Sequence, residues 1–145
     1  MSPLSIAEYV EQARRDPSTE HIEALWRAVF LRNAWHFIPS QASGPASPTV
    51  APIDGAHWLL AFTSPRPLKD FARAKDRLND DGSAPILSLT PLEAMEHILK
   101  IGDHIEGVLF DIGQDATFRA PTDALESYAR HFGVPIDEGL PDDID

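Results

Sequence analysis

At 145 residues, with 43% apolar and 24% charged residues, the chain has the size and composition of one globular domain that buries its own core. Its formal net charge of −11 argues against nucleic acid and anionic membrane surfaces as partners. With no cysteine there is no disulfide framework, thiolate metal site or cysteine nucleophile, which fits a reducing cytoplasm. No apolar run reaches bilayer length, and the opening MSPLSIAEYVEQARR lacks the basic and apolar regions of a signal peptide, so a cytoplasmic location is expected.

Leu4, Ile6, Tyr9, Val10 and Ala13 recur at helical spacing over residues 3–15, with Ser2 and Pro3 placed as cap and first turn. Asp16-Pro17 breaks that helix, because the residue before a proline is pushed out of the α region. Ser18 or Thr19 caps a second helix bearing Ile22, Leu25, Trp26, Val29 and Phe30, with Asn33 as its expected C-cap. AWHFIPS (34–40) alternates and is aromatic-rich, which predicts a strand. Residues 41–54, rich in Pro, Ser, Ala and Gly without periodicity, predict a long loop. HWLLAFTS (57–64) is apolar on both faces, as a central strand is.

A helix over 66–78 follows, with Leu68, Phe71, Ala72, Lys75 and Leu78 as its inward stripe, stopped by Asn79-Asp80-Asp81-Gly82. After the strand PILSLT, Thr90, Pro91 and Glu93 form a strong helix start: cap, first-turn proline and capping box. GVLFDIG and ATFRAP flank Gln114-Asp115 as a hairpin, and Pro121-Thr122-Asp123 opens a last helix ended by Gly133. The expected fold is α+β (mixed α/β): an N-terminal helical pair (1–33), then a mixed sheet of about five strands with helices packed on it (34–136). An acidic tail (137–145) completes one domain.

Charge is unevenly distributed. Residues 1–72 hold 6 Lys/Arg against 7 Asp/Glu, whereas residues 73–145 hold 6 against 16. An acidic half of this strength attracts a basic protein surface and speeds its approach, or serves solubility alone.

Several local words resemble the SseB N-terminal domain family, a bacterial α/β domain of enhanced-serine-sensitivity and type III secretion proteins. They are Ala61-Phe62-Thr63-Ser64, Leu68-Lys69-Asp70-Phe71, Ile86-Leu87-Ser88-Leu89, the Pro91–Ile101 helix and Gly107-Val108-Leu109-Phe110-Asp111. The lead-in from the Trp26 helix through Ala34-Trp35-His36-Phe37-Ile38-Pro39 also fits, so the likeness covers most of residues 20–132. Asp111-Ile112-Gly113-Gln114 departs from the family's Asn-Pro-Gly-like turn. The resemblance implies an adaptor or interaction domain, with no catalytic residue to carry over.

Motifs of chemistry are sparse. The six histidines lack the i, i+4 spacing of a helical metal site, and no phosphate loop, metal-ligand cluster or nucleophile elbow stands in the sequence, so neither metal nor cofactor is expected. Arg66, Lys69, Arg73 and Arg77 share one face of their expected helix, more simply a solvated face than an anion site. The leading expectation is a non-enzymatic bacterial domain that binds another protein of basic surface, as a secretion-associated adaptor or a toxin-immunity protein. Glu93, Glu96, Glu126 and Trp35 are its expected contact residues. The alternative is a small-molecule-binding regulator or minor enzyme built on Trp35, His36, His57 and Asp111, with Asp111 as a base if it is buried.

Overall fold

The computed structural model describes residues 5–39 and 48–134, and its organising element is strand β3 (Ala56–Ala61). On one edge β3 runs parallel to β5 (Gly107–Phe110), from Trp58 opposite Gly107 to Ala61 opposite Phe110. Beyond β5, β6 (Phe118–Pro121) pairs antiparallel. On its other edge β3 carries β2 (Val50–Ile53), also antiparallel. A separate two-stranded ladder joins β1 (Trp35–Phe37) to β4 (Leu87–Leu89). One bridge links the two sheets: His36 and Phe62 exchange backbone hydrogen bonds of 2.9 and 2.8 Å. The mixed α+β fold is therefore as expected, but among the described residues six strands in sheets of four and two replace the single sheet of about five.

The sixth strand comes from the segment expected to be loop. Asp54 (φ 51°) and Gly55 (φ 85°) build a two-residue turn with both centres left-handed, the geometry that matches strand twist. It folds residues 50–53 back onto β3. In such a hairpin Ile53 and Ala56 form a hydrogen-bonded pair, as do Ala51 and Trp58. Pro52 falls between them, its missing N–H directed to the open edge, where it costs the ladder nothing. Residues 41–47 of the expected loop lie outside the described residues.

β1 and β2 run end to end along the same edge of β3. Between them Pro39 bridges to Pro48. The Ile38 carbonyl accepts both the Thr49 N–H (2.9 Å) and the Thr49 hydroxyl (2.8 Å) there.

Helices cover both faces. α1 (Ile6–Arg15) and α2 (Thr19–Phe30) are capped by Ser5 and Ser18; the Ser5 box is completed by Glu8, and Ser2 and Pro3 lie outside the described residues. α4 (Pro91–Lys100) and α5 (Thr122–His131) join them over the sheet face formed by Trp35, Phe37, Leu59, Ala61, Val108 and Phe110. Trp26 anchors that layer, with its ring 5.2–5.6 Å from those of Phe110, Phe118 and Tyr128. Of the described helices only α3 (Pro65–Ala74) lies on the other face, Leu68 and Ala72 meeting Ile38, Leu60 and Phe62. Trp58 is buried as core, beneath the Arg119 guanidinium 5.2 Å from its ring centre.

Several boundaries differ from expectation. α1 is capped at Ser5 and begins at Ile6, not at Ser2 and Pro3, because Glu8 completes a capping box with Ser5. α3 stops at Ala74 rather than near Leu78, because Asp76 turns left-handed (φ 56°); Lys75 is exposed, and Arg77 falls off the helix face. α2 ends in a Leu31 cap, not at Asn33. β5 and β6 do pair, but through a seven-residue connection, 111–117, in which Asp111 (φ 57°) and Gly113 (φ 91°) make the bends. Residues 135–145, the whole of the expected acidic tail included, lie outside the described residues.

Candidate functional site

The expected contact residues have different fates. Trp35 is fully buried in the core and donates its indole N–H to the Val29 carbonyl at 2.8 Å, so it presents nothing to a partner. This corrects its assignment as a contact residue: alternation along β1 turns it inward with Phe37. Glu93 is exposed, yet its carboxylate accepts the Thr90 N–H at 2.9 Å while Thr90 Oγ1 accepts the Glu93 N–H at 3.1 Å. It is the expected capping box, and the carboxylate is committed to α4. Glu126 is tied to Arg130 one turn along α5. Glu96 alone is exposed with no partner among the described residues.

Folding assembles an acidic group that sequence spacing did not single out. A short 3-10 turn, Gly102–His104, and Glu106 lead into β5, and α5 begins directly after β6. The antiparallel β5–β6 pair brings these starts together: the Glu106 carbonyl accepts the Thr122 N–H at 3.3 Å. A Cβ on Gly102 would lie 3.5 Å from Thr122 Cγ2. Asp103, Glu106 and Asp123 thus gather at one end of the sheet, each exposed and without an ion pair among the described residues. Glu11, Glu23 and Asp70 differ, each having an arginine one turn away at 3.2–3.7 Å. The signal available in sequence was the 6-to-16 imbalance of residues 73–145; the fold concentrates part of it.

The four residues of the alternative reading do not form one site. His57 opens β3, whereas Asp111 follows β5, whose parallel register sets it beyond the other end of β3. Five residues of extended chain separate those levels, roughly 16 Å. His57 instead shares a groove of about 490 Å³ with His97 and His104, floored by Val50, Ile101 and Ile105. Among the described residues no group of three or more acids and histidines is arranged to hold a metal ion. His36 bonds Ser88 Oγ through Nδ1 at 2.8 Å; partial burial and the Arg32 charge hold its imidazole below the ordinary value.

Asp111 is buried, as the base reading required. Its two carboxylate oxygens accept the Thr63 N–H and the Thr63 hydroxyl, each at 2.8 Å, while its own N–H donates to Ala61. Burial raises its carboxyl above the usual carboxylate range, opposed by the two Thr63 bonds and by the Arg32 charge. Beside it a cleft of about 530 Å³ opens at the carboxyl ends of β3 and β5, where open α/β sheets commonly take ligands. Arg32, Ser64 and Arg66 also line it.

No helix among the described residues is long and apolar enough to cross a membrane. Compared with models of known protein families and with curated proteins, the chain matches none.

Proposed function

We propose that this domain works by binding another protein through its acidic end, in the manner of an adaptor or immunity protein, and carries out no catalysis of its own. One observation carries the reading: the Glu106–Thr122 backbone contact brings the stretches bearing Asp103, Glu106 and Asp123 to one end of the sheet, each residue exposed and without an ion pair among the described residues. Exposed like charges on one end of a domain attract a basic partner surface and speed its approach. Glu96 is a further exposed acid on α4, without an ion pair among the described residues. The SseB-like resemblance supports the same reading through the residues quoted for it, and a secretion-associated or immunity role belongs to the proposal.

The test compares the wild-type chain with a Glu96→Lys, Asp103→Lys, Glu106→Lys variant. Glu93 and Glu126 are left alone, because their reversal would disturb a cap and a helix pair. A partner captured by the wild type from the native cell extract should be lost by the variant. With that partner purified, the association rate should fall as salt rises from low to physiological strength. Binding indifferent to both salt and reversal would reduce the acidic end to a solubility device.

A further inference from the structure

The cleft beside Asp111 lies at the end of the sheet opposite the acidic group, and its chemistry differs. Arg32 and Arg66 both line it, and neither guanidinium has a hydrogen bond or ion pair among the described residues. Arg77 and Arg119 likewise have no ion pair among the described residues, but neither lines this cleft. Arg15, Arg27 and Arg73 each hold a carboxylate, and Arg14 donates to the Asp115 and Thr117 carbonyls. Ser64, at the cap position of α3, makes no capping bond, so its hydroxyl is uncommitted on the same wall. The buried acceptor nearby, Asp111, is already satisfied on both oxygens by Thr63. Arg32, Arg66 and Ser64 thus leave donors uncommitted on its wall, beside the exposed Asp115.

We propose that this cleft binds a small molecule bearing a carboxylate, held by the guanidinium groups of Arg32 and Arg66 and by the Ser64 hydroxyl. Arginine matches a carboxylate in charge and in planar two-point geometry. Asp111 and Asp115 line the same cleft, so one negative charge is tolerated better than the two of a phosphate dianion. Ile6 and Pro67 offer apolar wall to the body of the ligand, and the volume suits a small metabolite.

Amide NMR titration of the full chain tests this, with butyrate as probe and butyramide and inorganic phosphate as comparisons. Butyrate should give saturable shifts centred on Arg32, Ser64, Arg66 and Asp111–Gln114, and should raise the melting temperature in step with occupancy. In an Arg32→Gln, Arg66→Gln variant of unchanged spectrum, affinity should fall about tenfold or more, since charge-assisted bonds are lost. Arg66→Gln alone, at an exposed side chain, should give a smaller loss and guards against misfolding of the double variant. Absence of saturation, equal affinity for butyramide or phosphate, or undiminished affinity in both variants would each overturn the proposal.

Discussion

Thr63 and Asp111, 48 residues apart, close on each other at two points: backbone N–H to Oδ1 and hydroxyl to Oδ2, both 2.8 Å. The pair locks the exit of β3 to the exit of β5 and holds Asp111 in its left-handed conformation (φ 57°). Asn and Asp tolerate that conformation better than other non-glycine residues. Asp111→Ala should therefore destabilise the domain by about 1–3 kcal/mol, chiefly by leaving the buried Thr63 N–H unpaired. Asp111→Asn can keep both contacts, with its amide nitrogen donating to Thr63 Oγ1, and should stay within about 1 kcal/mol of wild type. Burial favours the protonated acid in the folded state. Wild-type stability relative to Asp111→Asn should thus fall as pH rises from about 3.9 through the raised native value, then level off. Urea unfolding of the three proteins across that range checks it.

His36 and His97 titrate in the opposite sense. Both are held below the ordinary imidazole value by burial, with a second push from Arg32 and Lys100 respectively. Unfolded chains therefore take up protons first, and this contribution to stability is lost as pH falls from about 6.5 through the lowered native values. Imidazole NMR titration separates the causes. Arg32→Gln should move the His36 midpoint upward and leave His97 in place, and Lys100→Gln should do the reverse. An unmoved His36 in Arg32→Gln would show that burial alone sets its value.

Much of the helical layer was legible in sequence. The Thr90–Glu93 box and the Trp26 stripe are local patterns, and local patterns survive folding when the core agrees with them. β2 was legible too and was overlooked: Asp54-Gly55 is a strong hairpin signal, masked by the proline in Val50–Ile53 and by the low-complexity stretch before it. The Thr63–Asp111 clasp and the Asp103, Glu106 and Asp123 group left no comparable trace. Each depends on long-range pairing of β5, with β3 in one case and β6 in the other, and no spacing rule spans that distance.

The reassignment of β2 has its own signature in hydrogen exchange. Ala51 and Ile53 occupy hydrogen-bonded positions against Trp58 and Ala56, while Val50 faces the open edge. The amides of Ala51 and Ile53 should exchange markedly more slowly than that of Val50 in the native state. Equal, fast exchange at all three would return the segment to a loop.

Gly107 leaves no room for a side chain between β5 and β6. A Cβ there would sit 2.2 Å from the Ala120 carbonyl oxygen and 2.7 Å from Pro121 Cα, both backbone atoms. The β5–β6 ladder would have to part to admit it. Gly107→Ala should cost about 3 kcal/mol or more, measured as a drop in the chemical-denaturation midpoint with an unchanged slope.

The bridge of Pro39 with Pro48 has an architectural consequence. Because Pro39 and Pro48 meet, the two ends of the segment between them are already held together, as in a closed ring. Ring closure depends weakly on length, about 0.6 kcal/mol for each doubling, so the sheet is nearly blind to how much sequence is placed there. This makes the position a natural port for inserted modules, an epitope, a fluorescent reporter or a second binding unit, carried beside β2 without entering the core.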